Sequence, residues 1–315
     1  MQRSSAWLPC PSALALVGLV LASGHAFAQE SGGVSASAAS SDASTGMTHF
    51  FGNTRHLQAA ADQVGLSTQT GPLPFTLSGN VQSWTSGPPL ADLYTEAAQA
   101  TYRIDDTWKL LGQQLYQEQS SISLWNFVGG VGYSPTEDFS LNAMVGVGIH
   151  TQYTYQWAAY VSPQYTLPVE INGEKWVAFG ANFTFEDYEL GSFSQVTPRV
   201  SLKIASWLPQ LQIGYAFGEF DETTEVTQTQ YYQPQAVSGL NVTAVLHPFD
   251  SIYAVLTYLP ENRNYIAGNY VTQNTIGAAL HVNLSPSFRA SAFYQDTWYA
   301  GGSDYAIGGG GSIAF

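Results

Sequence analysis

The sequence predicts an all-β fold: a transmembrane, antiparallel, up-and-down β-barrel of about 14 strands, with about 12 or 16 as the alternatives. Three observations predict it. Large apolar side chains recur at every second position, as in Leu211, Ile213, Tyr215 and Phe217 against Gln212, Gly214 and Ala216, which puts one set on each face of a strand. The alternating runs are mostly about 10 residues long, the length of a tilted strand that crosses a bilayer; sandwich strands are nearer about 5 or 6. The chain is 14% aromatic but only 10% charged, against about 25% charged for an ordinary soluble domain. Mean hydropathy is nevertheless near zero, because Gln, Asn, Ser, Thr and Gly stand where a soluble surface carries Lys and Glu. A wall with lipid outside and a polar lumen inside needs that mixture.

Residues 1–28 have the order of a secretory signal peptide. Arg3 gives a positive start, residues 13–22 an apolar core, and Ala26-Phe27-Ala28 a small-x-small cleavage site before Gln29. The apolar run is too short to span about 30 Å of hydrocarbon as a helix. Cys10 is the single cysteine and lies before the apolar core, so the mature chain is expected to have no disulfide, no thiol nucleophile and no cysteine metal site. Residues 29–74 read as a flexible periplasmic arm. Residues 31–45 are rich in Ser, Ala and Gly. Residues 55–64 have the composition of a short helix, with a poorly ordered arm as the equal alternative.

The barrel is expected over residues 75–315. Its strands begin near Phe75, Ala91, Trp108, Ser123, Phe139, Tyr153, Lys175, Phe193, Leu208, Ala236, Ser251, Tyr270, Phe288 and Asp304. Short turns with Asp, Pro and Ser join large apolar or aromatic residues: Tyr102 to Trp108, Tyr133 to Phe139, Leu246 to Ile252, and Leu284 to Phe288. Such turns belong at the periplasmic end, their aromatics forming a girdle. Residues 186–195, 218–235 and 260–269 are acidic and read as longer loops at the outer end. Parity is ambiguous near Lys109 and Ile252.

In the last stretch Tyr305, Ile307, Gly309, Gly311, Ile313 and Phe315 share one face, and Phe315 ends the sequence. An alternating final strand closing on a carboxy-terminal Phe resembles the assembly signal of Gram-negative outer-membrane β-barrel proteins, porin-like in kind. The resemblance covers only residues 305–315 and marks no subfamily. It implies export to the cell outer membrane, contact with the barrel-assembly machinery, and surroundings of lipid and lipopolysaccharide.

Little in the sequence points to catalysis. A lipase-like or deacylase-like barrel needs a His beside a Ser with an orienting partner. The strand-associated histidines are His150, His247 and His281; none carries such a motif. His247, before Pro248, reads as an interfacial hydrogen-bonding residue and His281 as lumen-facing. The acidic clusters Glu186, Asp187, Glu189 and Glu219, Asp221, Glu222, Glu225 read as solvated loops. They lack the spacing of a calcium loop, so neither a metal nor a cofactor is expected. Residues 308–312 are not a phosphate loop, because no Gly-Lys-Ser follows. A net charge of −14 argues against nucleic acid as a partner.

With the large apolar residues assigned to lipid, the inward set includes Gln212, Asn241 and His281 with Ser140, Asn142, Gln156, Gln164, Gln210, Thr243, Thr275, Ser291, Gln295 and Ser312. Arg103, Lys109, Arg199, Lys203 and Arg289 also point inward, most of them in the periplasmic half. This gives an acidic mouth, an uncharged middle and a basic lower section, whose opposed fields favour neutral or weakly charged solutes over strong ion selectivity. Arg103 and Lys109 serve bracing and selectivity about equally, beside Asp105 and Asp106. Arg199 and Arg289 have no acid close by in sequence and point to selectivity. The first expectation is a non-enzymatic channel for passive passage of small polar solutes. A barrel component of an envelope assembly or exopolysaccharide export system, with a periplasmic partner on the arm, comes second. An outer-membrane enzyme, which a His–Ser contact at the rim would favour, comes third.

Overall fold

The computed structural model describes residues 75–314 apart from 86–92, 120–121, 150–154, 172–173, 190, 206, 223–234, 250, 267–268, 286 and 301. The signal segment, the arm, His150 and Phe315 therefore lie outside the described residues.

Fourteen antiparallel strands close into one barrel. They are β1 (Phe75–Thr85), β2 (Leu93–Arg103), β3 (Trp108–Gln119), β4 (Ile122–Thr136), β5 (Phe139–Ile149), β6 (Trp157–Thr166) and β7 (Val177–Tyr188). β8 (Gly191–Leu202), β9 (Gln210–Glu222), β10 (Gln235–Phe249), β11 (Ile252–Ile266), β12 (Asn269–Ser285), β13 (Phe288–Tyr299) and β14 (Gly302–Ala314) complete the wall. Each strand pairs with its neighbours in sequence, and β14 pairs with β1, Leu77 opposite Ile313 and Ser78 opposite Ser312. Closure removes the unpaired strand edge that lipid could not solvate. With neighbouring strands about 4.8 Å apart and tilted by about 40°, a wall of this strand number has a backbone radius of about 14 Å.

Alternation shows which face is which. Along β5 Leu141, Val145, Val147 and Ile149 face out, the last three at 66, 54 and 49% exposure, while Ser140, Asn142, Met144 and Gly146 are buried inside. On the outer face Phe179 and Phe183 of β7 and Tyr215 and Phe217 of β9 are likewise exposed. Trp108, Tyr102, Tyr165 and Phe249 crowd the outside at the short-turn end, called the lower end below, the pattern of an interfacial girdle.

Several expectations need correcting. The described parts of the acidic stretches are largely strand. Residues 186–188 finish β7 and 191–195 begin β8; 218–222 finish β9, and 260–266 continue β11. Residues 223–234 lie outside the described residues. At the lower end two connections are more than tight turns. Residues 167–176 carry a small hairpin, Glu170–Ile171 with Glu174–Lys175, so the wall strand expected at Lys175 starts at Val177. Residues 203–209 close on an Ala205–Leu208 bridge. Backbone bonds from Lys203 N to Trp176 O (2.8 Å) and from His247 N to Trp207 O (2.9 Å) tie these connections together.

The lumen is also less polar than parity predicts. Leu111 and Leu115 of β3, Val128 of β4, Tyr160 of β6, Phe193 of β8, Val245 of β10, and Val255 and Leu259 of β11 all face inward and are buried. Around Ile252 both faces are apolar, with Tyr253, Val255 and Leu259 inside and Leu256 and Tyr258 outside, which is why parity there was ambiguous.

Candidate functional site

The lumen gathers most of the candidate residues. Its upper part, on the β4 to β9 wall, holds a cluster of Val128, Met144, Tyr155, Ala158, Tyr160, Tyr188, Phe193 and Phe220. Tyr155 precedes β6 yet is 2% exposed; its ring meets Tyr188 edge-on at 6.3 Å, and Tyr188 meets Phe220 at 5.9 Å. So the chain places a tyrosine inside the barrel just before it enters β6. Buried in this cluster, at 0% exposure, is Glu186. Tyr160 Oη donates to its Oε1 (2.9 Å) and Tyr188 Oη to its Oε2 (2.6 Å). Charge-assisted bonds of this kind meet the demand of a desolvated carboxylate.

The described part of this wall does not form the expected acidic mouth. Glu186 is enclosed by tyrosines, and several other acids near the upper strand ends point away from the lumen, whereas the side chains of Glu222, Glu225 and Asp304 lie outside the described ones. Asp187 shares the outer face of β7 with Phe183, Glu219 and Asp221 that of β9 with Phe217, Asp296 that of β13 with Tyr294, and Glu118 that of β3 with Leu110. Glu96 lies on the outer face of β2, where Tyr94 Oη donates to it at 2.6 Å.

The cations are lower down. Arg199 of β8 is 5% exposed and donates to Asn182 Oδ1, to Ser162 Oγ (3.3 Å) and to Gln164 Oε1 (3.4 Å). Gly180 makes room for it: a Cβ there would stand 3.0 Å from Arg199 Nε. Lys109 faces Gly132 across the β3–β4 pair, and a Cβ on Gly132 would meet Lys109 Cε at 2.3 Å and Asn142 Oδ1 at 2.8 Å. Glycine in the wall thus lets long lumen side chains lie flat along it. Arg289 of β13 is 2% exposed and donates from Nε to Asn283 Oδ1 at 2.8 Å. The three cations are spread around the ring: β3 to β8 is five strands, β8 to β13 is five, and β13 through the β14–β1 seam to β3 is four.

The remaining candidates divide. Arg103 sits at the lower rim, 47% exposed, in an ion pair with Asp106 at 3.1 Å, so it braces its turn. Lys203 lies beyond the end of β8, in the lower connection. Gln212 and Asn241 are half-buried on the lumen faces of β9 and β10. Tyr305 and Ile307 are exposed on the outer face of β14, while Ile313, on the same face, is 7% exposed.

Sequence reasoning missed the role of His247. It is no turn residue: β10 runs on to Phe249, and the imidazole stacks on the ring of Tyr253 at 4.3 Å and 7°. Arg289 Cζ lies 5.7 Å from the same ring. His281 of β12 is 1% exposed, with Nδ1 2.7 Å from Ser291 Oγ. That is a His–Ser contact, but in the lower lumen and not at the outer rim. Among the described residues no group of three or more His, Cys, Asp or Glu is placed to hold a metal.

Neither family models nor curated proteins yield a match. Solved structures resemble the barrel distantly. A loop L8 deletion mutant of OmpT, an outer membrane protein of Vibrio cholerae, is 10% identical over 77% of this chain and 99% of that one, with a TM-score of 0.45. Omp33, an outer membrane protein of Acinetobacter baumannii, is 10% identical over 77% and 98%, TM-score 0.46. KdgM porin is 8% identical over 76% and 99%, TM-score 0.39. Likeness at this distance is one of general fold. The chain itself is a closed 14-stranded antiparallel barrel.

Proposed function

We propose that the protein is a non-enzymatic outer-membrane channel for the passive passage of small polar solutes, anions ahead of cations. One observation carries the reading. Uncharged polar side chains, Gln113, Asn142, Thr184, Gln212, Asn241, Thr275 and Gln295, line the lumen face over β3, β5, β7, β9, β10, β12 and β13, where a solid core would be apolar throughout. A polar lining of this kind is what a path for hydrophilic solutes needs. Lys109, Arg199 and Arg289 around the lower ring set the sign of the field, and rings of charge select ions by the field they make.

The His281–Ser291 contact does not support an enzyme. Hydrolytic triads use a carboxylate to orient the histidine; Ser291 takes up Nδ1 here, and the lumen carboxylate Glu186 is bonded to tyrosines at the other end of the barrel.

The test is single-channel conductance of the refolded mature chain in a planar bilayer under a salt gradient. Stable open steps with anion preference are expected, and Arg199→Ala with Arg289→Ala shifts the reversal potential toward cations. A folded, heat-modifiable barrel that gives no steps sinks the channel. Steps whose selectivity ignores both arginines sink the role of the basic ring.

A further inference from the structure

The lower lumen of β10 to β14 carries more organised chemistry than a charged ring requires. Five adjacent strands contribute. His247 comes from β10, Tyr253 from β11, His281 and Asn283 from β12, Arg289 and Ser291 from β13, and Ser312 from β14. Register brings them into one patch: Tyr253 is opposite His281, His281 opposite Ser291, Asn283 opposite Arg289, and Arg289 opposite Ser312.

The long side chains from the flanking strands converge. Tyr253 reaches from β11 and Arg289 from β13, meeting at 5.7 Å with β12 between them. His247 closes the stack on the tyrosine at 4.3 Å. Arg289 lies over the ring on which His247 stacks, a cation–π contact, and Asn283 Oδ1 holds the guanidinium by its Nε edge at 2.8 Å. Around the stack, His247 Nε2 and Ser312 Oγ are buried and lack a protein partner. In the lower half of the barrel the described lumen positions of these five strands hold Thr243, Val245, His247, Tyr253, Val255, Ala279, His281, Asn283, Arg289, Ser291, Gly310 and Ser312. No carboxylate is among them.

We propose that this patch is a binding site for small carboxylate solutes, Arg289 supplying the charge and His247 and Ser312 completing the hydrogen bonding. A single guanidinium among neutral donors matches a monoanion better than a phosphate dianion, and guanidinium with carboxylate is a bidentate pair. Because these contacts hold Arg289 in place before the ligand arrives, little ordering is lost on binding. Half-buried His247, Asn283 and Ser291 form the approach. Such a site is a resting point on the path through the lumen, one step in conduction of anionic solutes. It rests on the channel reading for its role, but its existence is independent of it.

The experiment is saturation-transfer NMR with sodium acetate on the refolded chain in detergent micelles, folding being checked by heat-modifiability. Wild type is expected to give a saturable acetate signal. Arg289→Gln lowers that signal at least about fivefold, equivalent to about 1 kcal/mol; Tyr253→Leu, which removes the ring and keeps the charge, weakens binding less; Arg103→Gln, at the lower rim and ion-paired with Asp106, leaves it unchanged. Equal signals from wild type and Arg289→Gln overturn the site, as does equal loss in Arg103→Gln. Acetate binding without conductance steps refutes the channel and leaves the site standing. Steps with no saturable acetate signal refute the site and leave the channel.

Discussion

Removal of either tyrosine hydroxyl from Glu186 should destabilise the barrel by far more than an ordinary Tyr→Phe change. The carboxylate is fully buried and receives Tyr160 Oη at 2.9 Å and Tyr188 Oη at 2.6 Å. A hydrogen bond to a charged group contributes about 1.5–3 kcal/mol, a neutral one about 0.5–1.5 kcal/mol. Tyr188→Phe, which deletes the shorter bond, is therefore expected to cost about 2–3 kcal/mol, and Tyr160→Phe about 2 kcal/mol. In a Glu186→Gln background the acceptor is neutral, and the Tyr188→Phe cost should fall to about 1 kcal/mol. The difference, about 1 kcal/mol or more, is the coupling energy of a double-mutant cycle. Urea unfolding of the barrel in lipid vesicles, followed by tryptophan fluorescence, measures all four variants, with equal slopes required before midpoints are compared. A coupling within about 0.3 kcal/mol of zero refutes the reasoning, because it means the tyrosines do not stabilise a charge.

Two further substitutions test the assignment of faces and the use of glycine. Val145 is mid-strand on the outer face at 66% exposure, so Val145→Arg should cost about 2–4 kcal/mol in the same unfolding assay, as cations do at the bilayer midplane; a cost below about 0.5 kcal/mol would show that Val145 does not face lipid. A Cβ on Gly308 would stand 2.2 Å from the Phe293 ring and 2.3 Å from Val81 O, so Gly308→Ala should destabilise by about 1–3 kcal/mol, and Phe293→Ala in the same chain should recover part of that loss; no recovery would put the clash on the backbone alone.

The strand plan was legible because lipid imposes it. Every residue pair along β5, β7 or β9 has to answer to hydrocarbon on one side, so alternation is strict and the strand starts fall within a few residues of the expected ones. Boundaries drifted where something other than lipid sets the pattern. Tyr155 turns into the lumen before β6, which put the expected start too early at Tyr153. The small hairpin at residues 170–175 did the same for Lys175. The lumen was less legible because many of its side chains pack on one another across strands instead of facing one uniform medium. There an apolar side chain such as Val255 and a polar one such as Thr257 are equally admissible, since each is judged by its neighbours across two strands. The stack of His247 on Tyr253 spans one hairpin and was within reach of sequence. The cation over that ring, Arg289, comes from two strands further on, and that contact depends on register and side-chain reach that no local pattern encodes.

The placement of acids decides which sign of ion the pore prefers, in a chain whose formal charge is −14. Counted over the sequence, carboxylates dominate, and an acidic vestibule opposing a basic floor is the natural expectation. Counted over the described lumen face, the balance reverses, with Lys109, Arg199 and Arg289 inside against Glu186 under its tyrosines. Glu118, Asp187, Glu219, Asp221 and Asp296 take outward positions near the upper strand ends. From there a backbone radius of about 14 Å separates them from the pore axis. The Debye length at physiological salt is about 8 Å, so exposed charges at that distance are largely screened. The lower cations lie inside the wall, closer to the axis and partly desolvated, where screening is weaker. On the proposed orientation the outward acids meet lipopolysaccharide headgroups and leave the lumen field to the cations. Lowering ionic strength should therefore draw the outer acids back into play and reduce the anion preference, whereas a field set by lumen cations alone would strengthen it; the direction of that change in a conductance series separates the two.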